Sequence, residues 1–262
     1  MKGILQRAGG LFLSWLDELL FPDDVLCLCC DRALSEDAKD GVCPACARAL
    51  ARLNERREEW ERTHDVKVPE GIDCVHAAYP YEGPARQLVH RLKYDCVRMA
   101  HIPLAKPMVF LPSGEEEIIV PVPTDPGRRR RRGFNQAQLL ADYIGGALGM
   151  RVVPALCRTQ RRRPQTGLSA AQRRENLKNC MAANASVSGK RVLLVDDVYT
   201  TGSTAQEAAR ALLKAGAVSV RLITSCRTTD ELPEEKDPFA MPPKRLNRAK
   251  ILKIPDKNSG EL

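Results

Sequence analysis

The sequence predicts an α/β fold: a parallel sheet flanked by helices, with a small N-terminal cysteine module and a disordered C-terminal tail. Three observations predict it. Short, mostly apolar runs at Ile118–Pro123, Arg191–Val195 and Val218–Thr224 alternate with helical stretches, which suits parallel strands covered on both faces. Five of the ten cysteines crowd between Cys27 and Cys46. Beyond Arg227 the periodicity stops.

The elements follow in order. Ile4, Leu5, Ala8, Leu11, Phe12, Trp15, Leu16, Leu19 and Leu20 recur at helical spacing, and Phe21-Pro22 ends the run. That apolar stripe packs on its own protein or serves as a membrane-surface or partner-binding face. A charged helical run, Ala47–Arg62, leads out of the cysteine cluster. Val75–Tyr79 reads as a strand, Tyr81-Glu82-Gly83-Pro84 as a turn, and a helix starts near Pro84 on Leu88, Val89 and Leu92. Prolines shut off the strand Ile118–Pro123. Asn135–Leu148 is helical, with Gly149 as its C-cap. A strand over Arg191–Val195, a helix over Thr204–Lys214 closed by Gly216, and a strand over Val218–Thr224 complete the pattern. The expected division is residues 1–65 for the amphipathic helix and cysteine module, 72–227 for the α/β domain and 228–262 for a Pro-interrupted, disordered tail.

With 262 residues the chain can bury a real core, and 44% hydrophobic against 28% charged residues excludes wholesale disorder, collagen and coiled coil. No apolar stretch approaches the length of about 18 residues that a membrane-spanning helix needs. Asp17 and Glu18 follow the N-terminal apolar residues and no small-residue cleavage site appears, so the expected compartment is cytoplasmic.

The cysteine spacing is Cys27-x2-Cys30, then Cys43-x2-Cys46. Two such knuckles let four thiolates converge tetrahedrally, the geometry of a structural Zn²⁺ site with no position left open for substrate. A segment this short has too little core to fold alone, and the metal supplies the missing free energy. Cys29 is a bystander, buried or reactive. Local clustering argues for a reducing compartment rather than a disulfide framework.

The chemistry concentrates in Val192-Leu193-Leu194-Val195-Asp196-Asp197-Val198-Tyr199-Thr200-Thr201-Gly202-Ser203-Thr204. A strand delivers Asp196 and Asp197 at its C-terminal end, where ligands sit in open α/β sheets. Thr200, Thr201, Gly202, Ser203 and Thr204 then enter a helix, and their N–H and hydroxyl groups make an anion cradle suited to a monophosphate. No Walker A lysine is present. Carboxylates just before such a cradle suit a phosphorylated sugar, with the ring hydroxyls donating to Asp196 and Asp197.

Charge is uneven. Ile118–Lys190 carries 14 Lys plus Arg against 3 Asp plus Glu, a net +11 within a chain of net +8. Arg128–Arg132 and Arg161–Arg163 are unbroken arginine runs, which in isolation read as solvated loops or a nucleic-acid patch.

The segment from Val192 to Thr204 resembles the phosphoribosyl-diphosphate (PRPP) motif of type I phosphoribosyltransferases, and Phe12–Arg227 is similar throughout to the ComF family of competence proteins, zinc knuckles included. Tyr81-Glu82-Gly83-Pro84, His90-Arg91-Leu92-Lys93-Tyr94, Pro121-Val122-Pro123, Arg132-Gly133-Phe134-Asn135-Gln136 and Gln165-Thr166-Gly167-Leu168-Ser169 carry the likeness, with Arg173, Arg174 and Asn176. The resemblance implies a type I phosphoribosyltransferase-like sheet. It also implies PRPP as ligand with Mg²⁺, ribose hydroxyls on Asp196 and Asp197, and the 5′-phosphate on Thr200–Thr204. The loop at Thr124, Asp125 and Arg128 would lie at the diphosphate with Arg132, and Arg158–Asn176, including Gln165 and Thr166, would close over the site. The implied reaction is displacement of diphosphate from C1 of the sugar by an unidentified nitrogen acceptor, with no covalent nucleophile on the protein. The same resemblance implies, as the alternative, a non-catalytic accessory of DNA uptake or recombination that binds PRPP or a nucleotide, with single-stranded DNA or a helicase as partner of the surplus arginines. The tail beyond Arg227 departs from the family pattern.

Overall fold

A computed structural model of the chain describes residues 26–63, 68–159 and 180–228. The expected N-terminal amphipathic helix, the closing loop beyond Thr159 with Gln165 and Thr166, and all of the tail but Thr228 lie outside the described residues.

The elements are α1 (Pro44–Thr63), β1 (Cys74–Pro80), α2 (Gly83–Lys93), α3 (His101–Ala105), β2 (Ile118–Pro121), α4 (Pro126–Arg132), α5 (Gln136–Leu148), β3 (Arg151–Val152), β4 (Leu156–Arg158), β5 (Met181–Ala183), β6 (Arg191–Tyr199), α6 (Ser203–Lys214) and β7 (Ser219–Arg227). Five strands form one sheet in the order β1-β7-β6-β2-β3, and every neighbouring pair is parallel. β4 and β5 form a separate antiparallel ribbon, with Arg158 opposite Met181.

The continuous apolar strands are explained by burial on both sides. On β6, Leu193 and Val195 face one core together with Leu88, Leu92, Leu104, Leu140 and Ile144 from α2, α3 and α5. Their neighbours Val192 and Leu194 face the other core, with Ala208 and Leu212 of α6 and Met181 of β5. Side chains alternate with period two along a strand, so a strand between two helical layers has no polar face.

Three strand ends differ clearly from the sequence reading, β7 running on to Arg227 rather than Thr224. β2 stops at Pro121 rather than Pro123, because prolines have no N–H for the ladder; only Val122 N still bonds Val195 O, at 2.9 Å. β6 runs four residues past Val195 to Tyr199, because β7 continues beside it and pairs Asp196 with Thr224 and Tyr199 with Arg227. The carboxylate pair therefore lies inside the strand's last turns of pleat rather than beyond its end. α3, α4 and β3–β5 carried no usable periodicity, each being seven residues or shorter.

The cysteine segment shares a core with the sheet domain. Cys27, Val42, Cys46 and Leu50 pack in the same cluster as Leu88, Leu92 and Leu104. Arg91 of α2, 6% exposed, ties the two together: it pairs with Asp31, and its Nε donates to Leu28 O at 3.4 Å.

Candidate functional site

At the C-terminal edge of the sheet, Asp196 and Asp197 meet cations from three elements. Lys93, the last residue of α2, places Nζ 2.8 Å from Asp197 Oδ1. Both side chains are largely buried, 20% and 15% exposed, so this is an ion pair with little solvent screening. Burial works against the Lys93 ammonium, but Asp197 outweighs it and the pKa lies above the ordinary lysine value. Arg132 at the end of α4 acts electrostatically on Asp197 and stacks over Tyr94, 5.8 Å from the ring centre. Arg158 on β4 acts on Asp196 and is held by Nε donating to Pro123 O at 2.9 Å.

The two carboxyls are unlike. Asp196 keeps some water-accessible surface, yet its carboxyl group is enclosed. Burial first, and Asp197 second, push its pKa up to about 7, more than Lys93 and Arg158 draw it down. Asp197 is fixed at both ends: its N–H donates to Asp196 Oδ1 at 2.8 Å, and its carbonyl accepts from Ser225 Oγ at 2.6 Å.

The loop beyond β6 turns on Gly202. Its φ is +74°, and a Cβ there would sit 2.8 Å from Pro69 Cγ and 2.9 Å from the Tyr199 hydroxyl. Only glycine satisfies both demands. Tyr199 is itself braced by Arg227, whose guanidinium lies 5.6 Å from the ring centre. The turn delivers Thr200 and Thr201 to the surface and Ser203 and Thr204 into the first turn of α6, whose leading N–H groups have no intrahelical acceptors. Thr201 Oγ1 and Ser203 Oγ are 3.0 Å apart. Hydroxyls and N–H groups at a helix N-terminus make an environment for an anion.

The segment after Pro123 folds differently from the expected loop. It is the helix α4, with Asp125 as N-cap accepting from Gly127 N and Arg128 N at 3.0 and 3.2 Å. Thr124 donates to Asn135 Oδ1 at 2.7 Å and so fastens the start of α4 to the start of α5. Arg128–Arg131 are exposed, and Arg132 is half-buried toward Asp197. Lys93 had no assigned role in the sequence reading, and Arg158 was expected only as the first residue of the closing segment. Lys93 stood in a quoted motif, but nothing along the chain announces a partner so remote.

The second cluster brings the sulfurs of Cys27, Cys30, Cys43 and Cys46 within 4.8 Å of one another, with Cys30 and Cys43 sulfurs 3.8 Å apart. Four ligands at about 2.3 Å in a tetrahedron stand about 3.8 Å apart, so the cluster fits a metal ion. Cys27 Sγ accepts from Cys43 N at 3.3 Å and from Cys29 N at 3.5 Å, which stabilises sulfur in its anionic form. Pro44 starts α1, so Cys43 and Cys46 are brought to one side by its first turn. Cys29 is buried in the core beside the cluster. None of the ten cysteines is disulfide-bonded.

A parallel sheet that ends in paired carboxylates and a small-residue turn into a helix is the frame of a phosphoribosyltransferase-type domain. The family profile described as "Phosphoribosyl transferase domain" matches residues 130–247. DNA utilization protein YhgH of Escherichia coli (strain K12) is 32% identical over 219 residues, covering 72% of this chain and 91% of the relative. Competence protein ComFC of Bacillus subtilis (strain 168) is 26% identical over 220 residues, 80% of this chain and 87% of that protein. Competence protein F of Haemophilus influenzae is 40% identical over 110 residues, 40% of this chain and 48% of the relative. The chain belongs to the ComF family. No helix among the described residues is long and apolar enough to cross a membrane.

Proposed function

We propose that the protein binds PRPP with Mg²⁺ at the C-terminal edge of its sheet and transfers, or once transferred, the phosphoribosyl group to a nitrogen acceptor. The observation that carries this reading is the placement of Asp196 and Asp197 directly before the Gly202 turn, with Lys93, Arg132 and Arg158 gathered around the carboxylates. The ribose hydroxyls donate to the two carboxylates, and the 5′-phosphate takes the hydroxyls and N–H groups of Thr200–Thr204. Arg132, with Arg128 behind it on α4, lies toward the diphosphate. When bound, Mg²⁺ neutralises diphosphate charge. The chain's own part is to orient the sugar, bring guanidinium groups to the leaving group and exclude water; Gln165 and Thr166 belong to the segment proposed to cover the site. Thr124 and Asp125 act by holding α4 and α5 rather than by touching ligand. We assign Zn²⁺ to the four cysteines, as a structural ion with all four positions taken by protein.

A second role rests on a separate observation. Arg129, Arg130 and Arg131 point their α4 face into solvent and cannot all reach one diphosphate. They fit a nucleic-acid backbone, and the names of the relatives, "DNA utilization protein" and "Competence protein", support an accessory role in handling single-stranded DNA or its helicase.

Thermal unfolding with and without Mg-PRPP tests the first reading. Ligand at 100 times Kd stabilises by about 2.7 kcal/mol, and Asp197→Asn is expected to abolish the gain. An undiminished gain in that variant would show the ribose assignment to be wrong. In the same variant series, neutralising Arg129–Arg131 should leave the PRPP shift intact while lowering the salt slope of single-stranded DNA binding by about 2. An unaltered slope removes these arginines from any DNA contact.

A further inference from the structure

Away from the carboxylate site, a second group of ionisable side chains gathers around the start of β1. Cys74 opens this edge strand, half-buried, opposite Arg221 of β7. Arg221 Nε donates to Cys74 Sγ at 2.9 Å. The same nitrogen lies 3.4 Å from Oε1 of Glu116, whose side chain is 2% exposed. His76 falls two residues on and therefore on the same face of the sheet. Its imidazole interacts electrostatically with Cys74 and Glu61, with Nδ1 3.7 Å from Glu61 Oε2. Glu61 is in turn anchored by Arg57 of the same helix at 2.9 Å.

The charged groups acting on the thiol are thus His76 on its own strand and Arg221 on the next. Behind them stand Glu61 on α1, and Glu116 and Glu115 before β2. The carboxylates bear on the cations rather than on sulfur. Burial works against the Cys74 thiolate, yet His76 and Arg221 outweigh it and hold the thiol below its ordinary value. Cys226 is the contrast on the neighbouring strand: fully buried, its thiol is pushed up to about 12. A cysteine that only fills space needs no such pair of cations. An open groove between α1 and the turn Pro107–Phe110 reaches His76 and Glu61, its wall carrying Arg52 and Arg56 alongside Glu55, Glu58 and Glu59.

We propose that Cys74, with Arg221 at its sulfur, His76 two residues along the strand and Glu61 behind the imidazole, is a thiol–disulfide exchange site for low-molecular-weight disulfides. The Cys74 thiolate attacks one sulfur of the disulfide, forming a mixed disulfide as the original S–S bond breaks. The departing thiolate takes a proton from the His76 imidazolium. Cys74 is oxidised, the leaving thiol is reduced, and no further oxidant is needed. The proposal is independent of the PRPP reading.

The test treats full-length, metal-loaded protein with oxidised glutathione, and separately with iodoacetamide, at about pH 6, following each cysteine by peptide mass mapping. Cys157, exposed on β4, is the internal reference. Cys74 is expected to react roughly tenfold faster than Cys157, the gain in thiolate outweighing its lower intrinsic nucleophilicity. Arg221→Gln should move the pH profile of Cys74 upward and leave that of Cys157 in place. A Cys74 that reacts no faster than Cys157 in the unaltered protein overturns the proposal whether or not the variant folds, and so does an unmoved profile in a folded variant.

Discussion

Asp196 and Asp197 are adjacent in sequence and opposite in character. Asp197 is committed as an anion to Lys93, 2.8 Å away. Asp196 is enclosed beside a like charge and holds its proton up to about pH 7. A carboxyl whose folded pKa lies above its unfolded value binds a proton in the folded state that the unfolded chain has released. Its favourable contribution is therefore fully present below about pH 4 and lost as pH rises through about 7. Urea unfolding followed between those limits should show this decline in the wild type, and Asp196→Asn should remove it. The difference is expected on the order of 1–2 kcal/mol after allowance for the solvent that reaches this residue. Parallel pH profiles in the two proteins would place the raised pKa elsewhere.

The helix α4 shows how an unfavourable element is sustained. Five consecutive arginines repel one another at helical spacing, and seven residues are too few for a helix to stand alone. The ends hold it. Asp125 caps two N–H groups, Gly133 closes the C-terminus with φ +81°, and the last-turn cations complement the helix dipole. Removing the cap by Asp125→Ala should cost about 1 kcal/mol and speed amide exchange over Gly127–Arg132, while amides of β6 keep their protection. Unchanged exchange in α4 would mean that the cap is not what holds it. Arg132 would lose its place beside Asp197, so PRPP affinity should fall.

For the molecule as a whole, the question is whether the cysteine segment is an appendage. Its buried residues share a core with α2 and α3, Arg91 straps it to α2, and Lys106 after α3 reaches Asp40 at 2.8 Å. α2 also carries Lys93. Stripping the metal with a chelator under reducing conditions should therefore lower the temperature of a single cooperative transition and weaken PRPP binding. Calorimetry resolving two transitions, with the upper one unmoved, would show the segment to be thermodynamically separate. Elemental analysis should find about one zinc per chain.

The parallel sheet, the helices α1, α2, α5 and α6, and the four-cysteine spacing were legible along the chain, because each is written in local periodicity or in ligand spacing. The carboxylate pair and its glycine turn were legible for the same reason: strand, acid, small residues and helix follow one another without interruption. What only the tertiary structure decided is who faces whom. Lys93 and Arg158 enter the site because the end of α2 and the β4–β5 ribbon lie against the end of β6, and no local pattern encodes a contact between residues so far apart. The length of β6 was set by its neighbour β7, and the arginine run became a helix because Asp125 and Gly133 cap it. The net charge of +8 likewise located no site. The sequence placed that charge in its middle, but only the fold turned Arg132 and Arg158 toward carboxylates and left Arg128–Arg131 in water.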